Sequence, residues 1–231
     1  MTSVSVVVPA LNEAEAIGGV VRSMPWGSSS FDFAECIVVD NGSTDGTGDV
    51  ARAAGARVVT SPRGYGAACD AGAKAAVGEV LVFLDGDGAD NVGQFDDVAG
   101  PVVRGEADFV IGSRIRGRRE KGAMNFSQVF AAHLIGALVK VMYGFRYTDM
   151  GAFRAIRKDA LERMGMTEMT FGWNLEMQVR AVQMGLRIVE VPVDYGCRTA
   201  GESKVSGNLR ASVTTAWKIF GVLVRTRKSS K

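Results

Sequence analysis

The sequence predicts an α/β fold in which a mostly parallel sheet is flanked by helices. Short runs of β-branched and other apolar residues alternate with helical segments, which is the pattern of successive βαβ units. Polar and acidic residues follow several of these runs, as they do at the ligand-binding edge of parallel sheets. With 231 residues, 47% of them hydrophobic and 23% charged, the chain is long enough for one large domain with a sizeable core.

The first strand and helix carry clear local signals. Val4–Val8 is a β-branched run that predicts a strand, and Pro9 is expected to end it. A helix is predicted over Asn12–Met24, with Asn12 as its N-cap and Glu13 in its first turn. Together these residues predict a strand that leads through a short polar turn into a helix.

The following elements continue the alternation. Apolar runs predict strands at Glu35–Val39, Arg57–Thr60, Glu79–Leu84 and Phe109–Ser113. Helices are predicted between them over Thr47–Ala54, Gly64–Val77 and Phe95–Arg104. A polar loop containing two glycines joins the second strand to its helix, and the third helix is built from small residues. This spacing predicts a parallel sheet.

The second half of the chain is less regular. Its predicted elements are an apolar helix at Ser127–Tyr143, a strand at Gly151–Ile156, helices at Lys158–Met164 and Asn174–Met184, and a strand at Arg187–Val193. An amphipathic helix over Asn208–Val224 and a basic tail follow. We therefore expect one α/β domain over residues 1–207, followed by a C-terminal amphipathic helix and basic tail over residues 208–231.

Charge and cysteine content exclude several classes of protein. A net charge of +2 is too small to indicate nucleic-acid binding. Three widely spaced cysteines fit neither a zinc pattern nor a disulfide framework, so they are expected to be reduced thiols. No signal peptide is apparent, and Phe126–Phe145, the most apolar stretch, is interrupted by Gln128, His133 and Lys140. A cytoplasmic location is expected, and a peripheral contact at the inner face of the membrane stays open.

Two basic stretches of the chain are candidate sites for an anionic partner. Arg114–Lys121 holds five basic residues and one acid, and the tail from Arg225 is basic throughout its charged positions. Such stretches are either solvated surface or sites for phosphates or an acidic membrane surface.

Acidic residues after the predicted strands indicate a polar pocket at one edge of the sheet. Glu13 follows the first strand, Asp40 the second, and Asp85 and Asp87 the fourth. Two closely spaced carboxylates after the buried run that begins at Val80 are expensive to bury unless a cation balances them. Mg²⁺ and Mn²⁺ take carboxylate oxygens and often share their coordination with substrate phosphates. The other acids are suited to accept hydrogen bonds from a ribose hydroxyl or a base N–H.

Several common motifs are absent. Gly64–Cys69 begins like the dinucleotide-binding fingerprint but lacks the third glycine, and the chain has no phosphate-binding Gly-Lys-Ser/Thr loop. The single histidine, His133, lies in an apolar helix, which disfavours a Ser-His-Asp hydrolase or a histidine-rich metal site. Farther along, Arg198, Ser203 and Lys204 form a cationic set suited to close over a diphosphate.

Six short motifs, in order along the chain, resemble one known family. They are Val7–Glu13 (VVPALNE), Val39–Thr47 (VDNGSTDGT), Asp85–Asp87 (DGD), Gly112–Arg114 (GSR), Gly151–Arg154 (GAFR) and Arg198–Lys204 (RTAGESK). Taken together they resemble the family 2 glycosyltransferases of GT-A fold, and most of all the polyprenyl-phosphate (dolichol-phosphate) mannose and glucose synthases.

The resemblance implies an inverting transfer of a hexose from a nucleotide donor with Mg²⁺ or Mn²⁺. The residues it implies for nucleotide binding are Pro9, Asn12, Glu13, Asp40, Asp85 and Gly86, with Asp85 and Asp87 as the metal ligands. Arg198, Ser203 and Lys204 are implied to close on the donor phosphates, and Arg114 to meet an anionic acceptor. The metal and these cations would stabilise the leaving diphosphate, so Asp87 and Arg114 are expected to be catalytic.

The need for a base depends on the acceptor. A phosphate monoester is already ionised, whereas a hydroxyl needs a general base, for which Asp149 is the candidate. Glu176 is a second acid expected on the acceptor side. Three hypotheses follow: transfer from GDP-mannose or UDP-glucose to polyprenyl phosphate, the same donor chemistry with a small soluble acceptor, and a sugar-nucleotide-binding or partner-binding protein without turnover.

Overall fold

The computed structural model describes residues 1–199. Its strands are β1 (Ser3–Ala10), β2 (Asp32–Asp40), β3 (Arg57–Thr60), β4 (Val80–Phe83), β5 (Phe109–Ser113), β6 (Arg154–Arg157) and β7 (Ile188–Pro192). Its helices are α1 (Ala14–Arg22), α2 (Thr47–Ala53), α3 (Tyr65–Ala75), α4 (Phe95–Val103), α5 (Phe126–Tyr143), α6 (Lys158–Met164) and α7 (Trp173–Gln183). A short 3₁₀ turn over Val92–Gln94 precedes α4. The predicted helix over 208–224 and the proposed boundary at residue 207 lie outside the described residues.

The strands form one seven-stranded sheet in the order β3-β2-β1-β4-β6-β5-β7. β1, β2, β3 and β4 are mutually parallel, so their carboxyl ends meet at one edge. β6 runs antiparallel to both β4 and β5, and its first residue, Arg154, pairs with Phe83 at the end of β4. The chain that leads into β6 therefore reaches the same edge as the polar residues that follow β1, β2 and β4.

Both faces of the sheet are covered by helices, because its central strands are apolar on both sides. Val4, Val6 and Val8 of β1 pack in a cluster with α1, α2 and α4, whereas Val7 packs in a second cluster with α3, α5, α6 and α7. All four valines are fully buried, as expected for a parallel strand between two helical layers. The sheet is thus a rigid support for the loops at its carboxyl edge.

The predicted α/β class and mostly parallel sheet are confirmed, and two local details of the first unit are corrected. β1 does not stop at Pro9 but continues to Ala10, with Pro9 paired to Val39 of β2. Asn12 is not the N-cap of α1, because its side-chain oxygen accepts a hydrogen bond from the Thr44 backbone N–H instead. The first amide of α1, that of Ala14, is satisfied by the Asp45 carboxylate at 3.0 Å.

The strand predicted over Gly151–Ile156 begins later, at Arg154. Backbone carbonyls of Met150, Gly151 and Ala152 accept hydrogen bonds from the buried Arg154 guanidinium, so this segment forms a loop rather than a ladder with β4. The loop ends in Phe153, whose carbonyl oxygen accepts from the Gly112 N–H. It therefore lies at the sheet edge in a position fixed from both sides.

The start of β7 is held to the start of β5 by an ion pair that provides a pH-dependent test of the fold. The Asp108 carboxylate accepts hydrogen bonds from the backbone N–H, Nε and Nη2 of Arg187 at 2.8–3.0 Å. These hydrogen bonds lower the pKa of Asp108 to about 2. A group with a depressed folded-state pKa stabilises the fold above its unfolded pKa and loses that contribution as pH falls through the folded value.

We therefore expect Asp108→Asn to lower the free energy of unfolding by about 1 kcal/mol at pH 7, a value discounted because Arg187 is half exposed. The difference from the wild type should shrink as pH falls from 4 to 2. Urea unfolding over a pH series measures this, with Asp97→Asn on the exposed part of α4 as the control. A difference that stays constant down to pH 2 would contradict a charge-based contribution.

Candidate active site

A cavity of about 510 Å³ opens at the carboxyl edge of the sheet. It is lined by Pro9, Ala10, Leu11, Glu13, Asn41, Arg63, Gly64, Tyr65, Ala68, Asp85, Gly86, Asp87, Arg114, Met150, Ala152, Thr170, Phe171, Asn174 and Arg198. These residues follow β1, β2, β3, β4, β5 and β7, precede β6 and α7, or lie in the first turns of α3 and α7. The cavity thus collects side chains that are far apart in the sequence.

The structure brings many of the predicted site residues to this cavity and leaves others outside it. Those that line it are Pro9, Glu13, Asp85, Gly86, Asp87, Arg114 and Arg198. Those that do not are Asn12, Asp40, Asp149 and Glu176. Ser203 and Lys204 lie outside the described residues, so the structure says nothing of their predicted role.

Asp87 has a buried carboxylate oxygen that is not hydrogen-bonded. Its Oδ1 accepts from the Ala89 N–H at 3.0 Å, which fixes the side chain. Its Oδ2 is buried and has no hydrogen-bond partner within the described part of the chain. The Nε of Arg198 lies 3.1 Å from Oδ2, so the charges are close although the geometry is not that of a hydrogen bond. A buried, unsatisfied carboxylate oxygen is costly without a ligand.

Asp85 and Asp90 add two more carboxylates to the same loop. Burial, with the charge of Asp87 next, raises the pKa of Asp85 to about 6. Burial, with the charge of Asp85 next, raises the pKa of Asp90 to about 7, and Asp90 Oδ2 accepts from the Asp85 N–H at 3.1 Å. The loop therefore concentrates negative charge that a cation would relieve.

The donor set of this loop fits a divalent cation that shares its coordination with a ligand. Asp85 and Asp87 both line the cavity, and Asp87 Oδ2, beside Arg198 but without a hydrogen bond in the described chain, is a hard oxygen of the kind that Mg²⁺ and Mn²⁺ prefer. No group of three or more acidic, histidine or cysteine side chains within residues 1–199 is arranged to hold a metal by itself. The remaining coordination would come from water and from a bound diphosphate.

The acidic loop is held by the segment Tyr195–Thr199. The Gly196 N–H donates to the Ala89 carbonyl and the Thr199 N–H to the Asp87 carbonyl. Between them, Gly88 has a φ of +76°, and a Cβ at this position would come 2.5 Å from Thr199 Oγ1. Glycine is required there for both reasons. This contact carries Arg198 to the Asp87 carboxylate.

Arg114 is fixed by a two-point ion pair with Asp149. Its Nε lies 2.8 Å from Asp149 Oδ2 and its Nη2 2.9 Å from Oδ1, and its backbone N–H also donates to Oδ2. The side chain of Asp149 is fully buried, whereas Arg114 is 19% exposed and lies over the Tyr195 ring at 4.9 Å. Arg114 is therefore presented to the cavity in one orientation.

This pairing bears on the prediction that Asp149 is the base for a hydroxyl acceptor. Burial alone would raise the pKa of Asp149, but hydrogen bonds and charge from Arg114 lower it below the ordinary value. Both carboxylate oxygens are occupied, since Oδ1 also accepts from the Met150 N–H at 2.7 Å. A carboxylate of low pKa with no free oxygen and no contact with the cavity is a poor proton acceptor. The contacts of Asp149 hold the Arg114 side chain in place.

Glu176, the second acid expected on the acceptor side, does not line the cavity. Its carboxylate accepts from the Thr167 and Glu168 N–H groups at 2.9 and 2.7 Å and pairs with Arg180 at 2.8 Å. It is 2% exposed and absent from the cavity wall. Glu176 therefore organises the turn that precedes the cavity residues Thr170 and Phe171.

Asn12 and Asp40 shape the loop beside the cavity instead of lining it. Asn12 Oδ1 accepts from the Thr44 N–H at 2.9 Å, and Asp40 Oδ1 accepts from the Ser43 N–H at 2.8 Å. Their neighbour Asn41 lines the cavity, held by hydrogen bonds from its Nδ2 to the Ser61 hydroxyl and the Pro62 carbonyl. Asn41 directly follows Asp40 at the end of a strand, and this position is the sequence signal from which its place at the cavity could have been predicted.

Sequence reasoning also missed the cavity residues Arg63 and Tyr65. Arg63 precedes the incomplete glycine fingerprint and Tyr65 lies within it, and Gly66 of this motif serves packing. A Cβ at Gly66 would come 2.3 Å from the Glu168 carbonyl oxygen, so Gly66 allows α3 to start against the 168–169 backbone. The motif therefore brings Tyr65 to the cavity wall next to Phe171, with ring centroids 6.4 Å apart.

Comparison with known proteins identifies the family to which this chain is similar. Residues 5–165 match the model of "Glycosyl transferase family 2". An uncharacterized glycosyltransferase of Mycobacterium tuberculosis is 36% identical over 227 residues, covering 94% of this chain and 98% of that protein. An undecaprenyl-phosphate mannosyltransferase of Micrococcus luteus is 32% identical, covering 95% of this chain and 94% of its own length.

Solved structures agree on the fold. Glucosyl-3-phosphoglycerate synthase of Mycobacterium tuberculosis in complex with phosphoglyceric acid superposes with a TM-score of 0.73 at 24% identity, covering 97% of this chain and 80% of that one. Its complex with Mn²⁺ and UDP-glucose gives a TM-score of 0.73 at 23% identity, covering 97% of this chain and 79% of that one. At these identities the likeness concerns the fold. The chain belongs to glycosyl transferase family 2, and it is a glycosyltransferase with the GT-A fold.

Proposed function

We propose that this enzyme transfers a hexosyl group from a nucleotide-diphosphate sugar to a small soluble acceptor that carries a phosphate, with Mg²⁺ or Mn²⁺. The observation that carries this proposal is the buried Oδ2 of Asp87, which has no hydrogen-bond partner among residues 1–199, on a cavity wall that also presents Arg114 and Arg198. Two carboxylates for a cation and two guanidinium groups for anions suit a diphosphate donor and an anionic acceptor. The donor is GDP-mannose or UDP-glucose in this proposal.

The elements of the cavity suggest how the donor is held. Pro9, Glu13 and Asn41, after β1 and β2, are proposed to contact the nucleoside. Asp85 and Asp87 would hold the cation, which when bound would neutralise charge on the leaving diphosphate. Arg198, already beside Asp87, would stabilise the same developing charge from the protein.

The pairing of Asp149 supports an acceptor that is already ionised. A hydroxyl acceptor needs a base, and the predicted base has both oxygens bonded to Arg114 and Met150. A phosphate oxygen needs little help with its proton near neutral pH. Arg114 would orient such an acceptor. One structural neighbour is described as a complex with phosphoglyceric acid, a soluble molecule that carries a phosphate and a hydroxyl group, which supports a soluble acceptor that Arg114 could hold by its phosphate.

A lipid-linked phosphate is the second candidate, and the surface of α5 favours it. Phe126, Phe130, Leu134 and Val141 recur along this helix at spacings of four and seven residues and are 49–86% exposed. α5 is long and apolar enough to cross a membrane by length and composition, a property shared with core helices of soluble proteins. A peripheral contact with a bilayer would cover these residues. The name of the Micrococcus luteus relative supports the same acceptor.

Two measurements test the proposal. Thermal unfolding with UDP, UDP-glucose, GDP and GDP-mannose, each with and without Mn²⁺, should reveal one nucleotide class that stabilises the protein in a metal-dependent way. Transfer from that donor is then assayed with 3-phosphoglycerate in buffer and with polyprenyl phosphate in vesicles. Product with the soluble acceptor alone supports the first candidate, and product with the lipid alone supports the second. A folded sample that responds to no nucleotide would contradict both.

The exposed face of α5 makes the two acceptors distinguishable by mutation. If the lipid is the acceptor, Phe126→Ser with Phe130→Ser should lower transfer in vesicles about tenfold, because two large apolar contacts with the bilayer are lost. Transfer to a water-soluble acceptor should be unchanged. Ser127→Ala, on an exposed polar position of the same helix, is the control. Equal transfer in vesicles by the double variant and the wild type would argue against a membrane contact through α5.

A further inference from the structure

The hydroxyl group of Tyr65 is buried and unpaired at the wall of the cavity. Its Oη has no hydrogen-bond partner among residues 1–199, although the ring lines the cavity. Its polar neighbours are the Asp85 carboxylate, the Asn174 side chain and the Cys69 thiol. Buried hydroxyl groups in folded proteins are nearly always satisfied, so this one calls for a partner.

The neighbouring cation does not supply that partner. Arg154 is completely buried near Tyr65, but its guanidinium donates to the backbone carbonyls of Ala152, Gly151 and Asn174. These carbonyls hold the loop before β6 and the start of α7. Arg154 is thus committed to backbone carbonyls, and Tyr65 lies on the wall of the cavity that a ligand would enter.

The wall around Tyr65 has the composition of a sugar-binding surface. The Tyr65 and Phe171 rings are nearly parallel, with an interplanar angle of 18° and centroids 6.4 Å apart. Phe171 is 57% exposed at the cavity, and Thr170 and Asn174 add polar groups beside it. A pyranose ring offers an apolar C–H face and a rim of hydroxyl groups, which match an aromatic surface bordered by hydrogen-bonding side chains.

We propose that Tyr65, Thr170, Phe171 and Asn174 form the subsite for the hexosyl ring of the donor, with the Tyr65 hydroxyl bonded to a sugar hydroxyl. This inference rests on the proposed function, because it assigns the sugar end of the same donor. Tyr65 is near Asp85, the proposed ligand of the cation that holds the diphosphate, and the hexose is attached to that diphosphate. Tyr65 is then a specificity-determining residue.

The test compares the nucleotide with and without its sugar. Isothermal titration in the presence of Mn²⁺ gives the affinities of UDP and UDP-glucose, and of GDP and GDP-mannose, for the wild type and for Tyr65→Phe. We expect Tyr65→Phe to weaken binding of the nucleotide-sugar about fivefold, the effect of one neutral hydrogen bond, and to leave nucleotide binding unchanged. Phe171→Ala should also weaken binding of the nucleotide-sugar and leave binding of the nucleotide unchanged, whereas Phe171→Tyr should leave both unchanged.

Tyr147→Phe is the matched control, since the Tyr147 hydroxyl donates to the Gln178 carbonyl at 2.9 Å away from the cavity. Loss of this hydrogen bond in Tyr147→Phe should lower the melting temperature and leave the affinities for the nucleotide and the nucleotide-sugar unchanged. Tyr65→Phe should not lower the melting temperature of the free protein, because it removes an unpaired buried hydroxyl.

The outcomes separate this inference from the proposed function. Wild-type binding of a nucleotide-sugar, with an equal loss for nucleotide and nucleotide-sugar in Tyr65→Phe, would assign Tyr65 to the nucleoside and overturn the inference. Unchanged affinities in Tyr65→Phe would overturn it as well. A wild-type protein that binds none of the four ligands would overturn the proposed function, and the sugar subsite with it.

Discussion

Asp87→Asn is expected to lower glycosyl transfer about 1000-fold while the protein stays folded. An asparagine can keep the short hydrogen bond from the Ala89 N–H through its carbonyl oxygen. It cannot provide the anionic Oδ2. In the wild type this oxygen is buried next to Arg198 and has no hydrogen-bond partner among residues 1–199. The loss therefore falls on the cation and on the diphosphate that shares it, and the stability of the free protein should change little.

The measurement pairs activity with metal binding. Mn²⁺ titration followed by electron paramagnetic resonance should show a large loss of affinity in the presence of nucleotide for Asp87→Asn. Asp97→Asn, an exposed substitution of the same kind on α4, should behave as the wild type in both assays. Unchanged Mn²⁺ affinity in Asp87→Asn, or transfer within a few-fold of the wild type, would remove Asp87 from the metal site.

Asp149→Asn is expected to cost about 3 kcal/mol of stability, because it leaves the Arg114 guanidinium largely unpaired next to a buried amide. The wild-type pair is made of two side-chain hydrogen bonds at 2.8 and 2.9 Å, with Asp149 fully buried. We expect transfer to fall about 100-fold, since Arg114 would no longer be held toward the acceptor. Urea unfolding and steady-state kinetics measure the two effects.

A double substitution distinguishes positioning from base catalysis. Arg114→Met combined with Asp149→Leu removes both charges together, and stability should recover by most of the loss while transfer stays low. Under the positioning role, the pH dependence of the residual transfer in Asp149→Asn should keep the wild-type shape. Disappearance of an ionisation from the profile, with stability unchanged, would instead restore Asp149 as a base.

The acidic loop shows how far sequence reasoning reached. Asp85 and Asp87 follow a buried strand, and the alternation of strands and helices predicted that this strand end would lie beside the ends of β1 and β2. Their place on the cavity wall therefore followed from local pattern and the geometry of parallel sheets. The family, the α/β class and the mostly parallel sheet are confirmed for the same reason.

Sequence reasoning reached less far for side chains whose partners come from distant parts of the chain. Asp149 was the candidate base for a hydroxyl acceptor, and the structure shows that Arg114, which lies 35 residues away, occupies its carboxylate. Asn12 was taken as a helix cap, but Thr44, 32 residues away, donates to its side chain. Sequence shows the chemical type of such a residue and not the group that faces it.

By itself, the sequence determined the fold class, the family and the strand-end carboxylates of Asp85 and Asp87, because these depend on periodicity and on residues adjacent in the chain. Only the tertiary structure decided which polar atoms stay available for a ligand. It neutralises Asp149 with Arg114 and leaves Asp87 Oδ2 and the Tyr65 hydroxyl without hydrogen-bond partners in the described chain. The physical reason is that a buried polar group is satisfied by whichever neighbour folding brings to it, and that neighbour is set by packing across the whole domain.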